Sequence, residues 1–217
     1  MISKSETQKK NTIAIFDIDG TLRRTTDPWM LLHNHLGTEI EGNKYYKAWM
    51  NHEISYPELA MLWKGIHKNE MAKVMNQNPI RRGSKSLIHW FRNQNIPCIG
   101  ISSGVSLLNE ITAKELGLNE VISNELLFEN GICTGQVKIN VEENTKNKVL
   151  ENVLKKYKID SGNVISFGDG PADVAMFKLS TLSFAVFPKS ETVSSSADYI
   201  IDAEPIDRAI EYLPELN

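Results

Sequence analysis

Asp17 and Asp19 stand one residue apart at the end of an apolar run, Ile13-Ala14-Ile15-Phe16, and directly before Gly20-Thr21. An apolar run of this length, bounded by a glycine, reads as a buried strand. Two carboxylates at the end of such a strand are costly, because desolvating like charges together needs a cation or strong donors to compensate. Asp-Gly is also a common turn dipeptide, so the stretch alone fits a tight turn as well as a metal or phosphate site. Two later stretches bear on that choice. Residues 96–101 run into Ser102-Ser103-Gly104, and residues 164–167 run into Gly168-Asp169-Gly170, with Asp173 four residues beyond Asp169. Hydroxyls, glycines and acids thus follow three separate apolar segments.

The elements that must position these groups can be read from periodicity. From Gly83 onward helical and apolar segments alternate: a helix over 84–93, a strand over 96–101, a helix ending at Gly117, a hairpin turning at Asn130-Gly131, a helix over 145–158, and strands at 164–167, 182–187 and 199–201. A last helix lies near 206–212. Strands alternating with helices imply a parallel sheet covered on both faces. Ligands bind beyond the carboxyl ends of strands in such sheets, so the three loaded turns converge on one edge. That convergence favours a site over a simple turn.

Residues 22–81 carry no strand signal. Asp27-Pro28 opens a helix that Gly37 closes. Tyr45, Tyr46, Trp49 and Met50 recur at helical spacing, Ser55 with Glu58 forms a capping box, and Leu59, Leu62, Trp63 and Ile66 supply an apolar face. Met71, Val74 and Met75 mark a further short helix before Pro79. This stretch reads as a helical insert within the α/β chain.

Composition narrows the class. The chain has 217 residues, 41% of them hydrophobic and 24% charged, as expected of a soluble globular protein able to bury a full core. A net charge of −3 carries no polyanion-binding signature, so no nucleic-acid partner is expected. No apolar run approaches the ~20 residues that span a bilayer, so no membrane partner is expected either. Residues 1–11 are polar and lysine-bearing, without the apolar core of a secretory signal, and read as a flexible tail. Cys98 and Cys133 lack metal-type spacing and read as reduced core thiols of a cytoplasmic protein.

The sequence Asp17-Ile18-Asp19-Gly20-Thr21-Leu22, a hydroxyl at Ser102 after a second strand, Lys146 before a helix, and Gly168-Asp169-Gly170 with Asp173 after a third strand together resemble the haloacid dehalogenase-like hydrolase superfamily. The helical insert after the first motif is most similar to the phosphoserine phosphatase branch. The resemblance spans essentially the whole chain and implies a Rossmann-like parallel sheet with helices on both faces, plus an inserted helical (C1-type) cap. The core comprises residues 1–21 and 82–217, and the cap residues 22–81. The resemblance further implies a phosphomonoester phosphatase working through an aspartyl-phosphate on a small phosphorylated substrate. Asp17 is then the nucleophile and Asp19 the acid and base, its backbone carbonyl serving as a metal ligand. Lys146 holds nucleophile and phosphate together, and Ser102, with the N–H groups of Ser103 and Gly104, binds the phosphate. Four carboxylates at one edge call for a hard cation with oxygen ligands, and Mg²⁺ fits a phosphate site. Its expected ligands are Asp17, Asp19 and Asp169, with Asp173 acting through water or on a neighbour.

Each assignment has a plainer rival. Asp173 in a helix first turn is favoured by the dipole alone, Lys148 rivals Lys146, and either serine fits a helix cap. The chain also departs from the branch. Ala172 occupies a position usually held by asparagine, Thr26 (beside Asp27) stands where an acid is expected, and residues 59–65 contain no arginine. Free phosphoserine is therefore not the expected preferred substrate, with a phosphoserine phosphatase proper as the alternative that the resemblance implies. Arg23, Arg24, Thr26 and Asp27 are the candidate substrate contacts. The aromatic residues Trp29, Tyr45, Trp49, Tyr56 and Trp63 either pack helix on helix or line a pocket. A phosphotransferase that passes the phosphoryl group to an alcohol is an alternative activity, and a non-catalytic binding protein is disfavoured by the presence of both Asp17 and Asp19.

Overall fold

The computed structural model describes residues 12–25, 27–142, 145–159 and 163–213. The tail expected at 1–11, and Thr26, lie outside the described residues. Ile13–Phe16 forms β1, the central strand of a seven-stranded sheet. The others are β2 (Cys98–Val105), β3 (Glu120–Glu129), β4 (Ile132–Lys138), β5 (Val164–Gly168), β6 (Leu182–Val186) and β7 (Tyr199–Ile201), in the spatial order β4-β3-β2-β1-β5-β6-β7. Every neighbouring pair is parallel except β3 with β4.

The unbroken apolar character of β1 follows from burial on both faces. Ala14 and Phe16 pack with Leu87, Ile88 and Phe91 of the helix Ser84–Asn93, while Ile13 and Ile15 pack with Leu150 and Val153 of the helix Lys146–Tyr157. Register is set by a ladder of rings. Phe16 pairs with Phe167, and Phe167 with Phe184. Their rings stack at 4.8 and 4.7 Å, and Tyr199 extends the ladder from Phe184 at 5.5 Å. Each such contact contributes about 0.5–1.5 kcal/mol beyond its area. A one-residue slip would turn every ring to the opposite face. This ladder lies one residue before Asp17 and two before Asp169, so it also sets the relative height of the acidic turns.

Two strands extend beyond their expected limits. β2 continues through Ser102, Ser103 and Gly104 to Val105, with a register irregularity between Ile101 and Val105. β3 begins at Glu120, because its first residues pair with β2 and only its second half forms the hairpin. That first half holds only Val121 and Ile122 between polar residues, which hides it from a search for apolar runs. The hairpin turn is as expected: Asn130 and Gly131 both have positive φ, 49° and 81°, the geometry that a two-residue turn of this kind requires.

Between β1 and the helix at Ser84 lie α1 (Pro28–Leu36), α2 (Glu39–Met50), α3 (Tyr56–Ala60) and α4 (Lys68–Met75). The Ser55–Glu58 capping box is present, and Gly37 closes α1 in the left-handed conformation. Trp29, Leu32, Trp63, Met71, Val74 and Met75 form a core that continues into Leu107, Leu108, Leu126 and Cys133. Hydrogen bonds from Gly65 N to Cys133 O (2.8 Å) and from Cys133 N to Ile66 O (2.9 Å) tie the insert to the β3–β4 hairpin. The chain leaving and re-entering the sheet is paired by Arg24 N to Pro79 O (3.0 Å) and Arg81 N to Leu22 O (2.8 Å). Cys98 and Cys133 are both buried and free. Among the described residues, no helix is long and apolar enough to cross a membrane.

Candidate active site

The ends of β1, β2 and β5 meet below the insert in a cavity of about 290 Å³, lined by Asp17, Asp19, Ser102, Lys146, Asp169 and Asp173 among others. Asp17 follows directly from the ladder, its N–H donating to Phe167 O at 2.9 Å. Asp17, Asp169 and Asp173 are all buried, and each offers a carboxylate oxygen within 4.8 Å of the others. Lys146, 2% exposed, is the first residue of the helix Lys146–Tyr157, and its ammonium enters this cluster. Nζ donates to Asp17 Oδ1 at 2.6 Å and to Asp173 Oδ1 at 2.7 Å. Burial opposes its charge, but Asp17 and Asp173 outweigh that and hold its pKa above the ordinary lysine value. The rival Lys148 is exposed and absent from the lining.

Asp173 accepts from three protein donors. Its Oδ2 accepts the N–H groups of Asp169 and Gly170, both at 2.9 Å, while Oδ1 accepts from Lys146. It therefore shapes the 168–170 turn and aims the lysine. Asp169 accepts Thr21 Oγ1 at 3.4 Å and faces Lys189 Nζ at 3.3 Å. Asp19 is different: its Oδ1 is buried with no hydrogen-bond partner. Burial, and then the charge of Asp17, push its carboxyl up to about 8. Ser102 Oγ accepts the Gly104 N–H at 3.0 Å, so that N–H is engaged and the hydroxyl proton is left to donate.

Close approach depends on two glycines. Gly20 has φ +91°, and a Cβ there would overlap the Asp169 carboxylate. A Cβ on Gly104 would lie 2.5 Å from Asp19 Oδ2. Arg81, unnoticed in the sequence, braces the first motif: Nε donates to Thr21 O at 3.0 Å and a terminal nitrogen to Gly20 O at 2.6 Å. Its guanidinium also lies 4.2 Å from the centre of the Phe187 ring.

The candidate substrate contacts separate. Asp27 lines the cavity, and Thr26 lies outside the described residues. Arg23 and Arg24 are not in the lining. Arg23 is buried and pinned to Thr112 Oγ1 (2.6 Å), Glu115 (3.0 Å) and the Asn78 carbonyl, while Arg24 pairs with Glu204 at 2.5 Å on the surface. Both guanidinium groups are thus engaged by other parts of the chain and do not line the cavity. Of the aromatic residues, Trp29, Trp49 and Tyr56 line the cavity, Trp63 is buried in the insert's core, and Tyr46 rather than Tyr45 joins the wall. Lys189 and Ser190 complete the rim. They follow β6, a fourth strand ending at the same edge, which was the signal in the sequence that could have found them.

The donor set suits a hard divalent cation. Around the cavity four carboxylates face two ammonium groups; Asp19 Oδ1 is buried without a hydrogen-bond donor, and Asp169 Oδ2 has the Lys189 ammonium at 3.3 Å. An all-oxygen set short of positive charge is what Mg²⁺ takes beside a phosphate.

A parallel sheet with these acidic strand ends and a lysine between them defines a hydrolase class. The chain belongs to the haloacid dehalogenase-like hydrolases, whose family profile matches residues 14–178. It is similar to phosphoserine phosphatase of Methanocaldococcus jannaschii, 27% identical over 213 residues that span 95% of this chain and 99% of that protein. It is also similar to phosphoserine phosphatase of Campylobacter jejuni subsp. doylei, 26% identical over 205 residues, spanning 93% of this chain and 99% of the relative. Among solved structures, phosphoserine phosphatase in its apo form matches with a TM-score of 0.82 at 23% identity, over 94% of this chain and 100% of that one. A phospho-aspartyl intermediate analogue of phosphoserine phosphatase matches at 0.80 and 24% identity, over 94% and 99%. At these identities the structural likeness is one of fold.

Proposed function

We propose that the protein is a Mg²⁺-dependent phosphatase that hydrolyses a small phosphomonoester through an aspartyl-phosphate at Asp17. The observation that carries this is the buried Asp17 carboxylate held at 2.6 Å by Lys146 on the floor of the cavity. A phosphomonoester dianion repels nucleophiles, so its hydrolysis depends mostly on positioning and charge neutralisation. Lys146 fixes Asp17 Oδ1, which leaves Oδ2 to attack phosphorus, and the Ser102 hydroxyl donates to a phosphoryl oxygen. As the P–O bond to the alcohol breaks, Asp19 gives its proton to the leaving oxygen. Its carboxyl, pushed up to about 8, holds that proton near neutral pH. The Asp19 carboxylate then removes a proton from water as that water attacks phosphorus, which releases phosphate and regenerates Asp17. Asp17, Asp169 and the Asp19 carbonyl would hold Mg²⁺, with Asp173 acting through water and through Lys146. The ion supplies charge neutralisation at the phosphoryl oxygens. The helical insert, taken as residues 22–81, acts as the cap over this site, and the protein works in the cytoplasm.

Asp17→Asn tests the covalent step. It should fold as the parent does, lose turnover by several orders of magnitude and form no acid-stable phosphoenzyme. Retention of more than about a tenth of the activity, a barrier change under ~1.4 kcal/mol, would remove Asp17 as the nucleophile.

A further inference from the structure

The insert presents four aromatic rings to the cavity that contains Asp17. Trp29 of α1, Tyr46 and Trp49 of α2 and Tyr56 of α3 all share its lining. They form a chain of neighbouring rings, with centres 5.0 Å apart for Trp29–Tyr46, 5.9 Å for Tyr46–Trp49 and 5.7 Å for Trp49–Tyr56. Successive planes are inclined by 52°, 42° and 61°, so the rings do not stack on one another. Trp29 is buried in the insert's core and Tyr46 and Tyr56 pack against it, but Tyr46, Trp49 and Tyr56 are less covered than Trp63 and also form part of the cavity wall.

Charge points the same way. The electron-rich faces of such rings attract cations, quaternary ammonium groups above all. Asp27 adds a carboxylate to the lining. Among the described residues the lining contains no arginine; Lys146 is held by Asp17 and Asp173 on the floor, and Lys189 at the rim is paired with Asp169. An anionic substrate tail would meet an acid and the negative faces of the rings, whereas a cationic tail is attracted by both. The volume of about 290 Å³ lies at the lower end for small-molecule sites and suits a small head group.

We infer that the phosphoryl group is carried by a cationic alcohol, with a quaternary ammonium group seated among Trp29, Tyr46, Trp49 and Tyr56 and balanced by Asp27. This rests on the reading of the site as a phosphomonoester phosphatase. A quaternary ammonium has no N–H to satisfy and is weakly hydrated, so it enters an aromatic pocket at little desolvation cost. A free amino-acid ester brings a carboxylate that this wall does not neutralise.

The probe pair is phosphocholine and its uncharged isostere, 3,3-dimethylbutyl phosphate, which match in shape and differ in charge. With the Mg²⁺-loaded full chain, kcat/KM for phosphocholine should exceed that for the isostere, and that for phosphoserine, by about tenfold, the order given by one or two partly desolvated cation–π contacts. Trp49→Leu, and independently Tyr56→Leu, should bring the phosphocholine-to-isostere ratio close to one, and Trp49→Phe should restore much of it. Calorimetric binding of the same pair to Asp17→Asn protein reads the pocket without turnover and should show the same preference. Equal or tighter binding of the isostere overturns the cationic substrate, whatever the turnover. If phosphocholine binds preferentially but no phosphomonoester is hydrolysed, the pocket stands and the phosphatase reading fails. Hydrolysis of p-nitrophenyl phosphate without any preference for phosphocholine does the reverse.

Discussion

Lys146→Met should damage stability in a way that depends on pH. The residue is 2% exposed, and the ammonium it loses lies 2.6 Å from Asp17 and 2.7 Å from Asp173. Methionine keeps most of the apolar stem, so the loss is one of charge rather than of packing. Removing one partner of a buried ion pair costs about 3–5 kcal/mol, because the other charge is left uncompensated. Two carboxylates are abandoned here, but Asp173 keeps its two backbone N–H donors, so the same range applies to the triad. For a chain of this size, with each kcal/mol worth ~2–4 °C, the melting temperature should fall by about 6–20 °C. Without the lysine, the site takes up a proton that the unfolded chain does not hold at the same pH. The native variant then binds more protons than its unfolded state above about pH 4, so its stability falls as pH rises. Urea denaturation of parent and variant in chelator, at about pH 5.5 and about pH 7.5, checks both size and sign. The deficit should be near its full value at the higher pH and clearly smaller at the lower. A deficit below about 1 kcal/mol that is equal at both pH values would refute the reasoning, since it would place Lys146 among surface pairs of little net worth.

The metal should show a related linkage in the parent protein. Because Asp19 titrates at about 8 and Asp169 is likewise raised by burial and Asp17, the metal-free protein should lose stability between about pH 4 and pH 8. Mg²⁺, competing with those protons, should raise the melting temperature more at about pH 8 than at about pH 6; thermal scans with Mg²⁺ and with chelator check this, together with loss of activity in chelator. Gly20→Ala should be destabilised by roughly 1–3 kcal/mol from the left-handed backbone alone, and should also weaken Mg²⁺ binding because its Cβ displaces Asp169; calorimetry with Mg²⁺ separates the second effect from the first. Arg81→Met leaves the Gly20 and Thr21 carbonyls without their buried donor and should cost about 2–6 kcal/mol at ~1–3 per orphaned group, with kcat falling more than KM rises. Unchanged stability in denaturant would show that water replaces the guanidinium there.

The parallel sheet and the convergence of its acidic ends were legible in the sequence, because apolar runs of four to six residues ending in Asp, Ser or Gly are a local signal. β1 needs no partner to be recognised, and neither do Gly37, Gly117 or the Ser55–Glu58 box, whose geometry is set within a few residues. Asp17, Asp19, Lys146, Asp169 and Asp173 could be proposed together because each follows or opens such an element. What distinguishes Lys146 from Lys148 is decided only in the fold, since one helical step moves the ammonium from a buried acidic cluster to solvent. The same holds for Arg23 and Arg24, which stand beside the motif in the chain but are drawn to Thr112, Glu115 and Glu204 by elements far away in sequence. Tyr46 rather than Tyr45 faces the cavity because the rotation of α2 is set by what packs against it. Arg81 and Lys189 carry no motif, and their importance arises when the chain returning from the insert and the end of β6 reach the first motif and Asp169. Spacing along the chain determines which groups stand at strand ends, whereas only tertiary packing determines which charged side chains are desolvated together, and it is that shared desolvation that sets their chemistry.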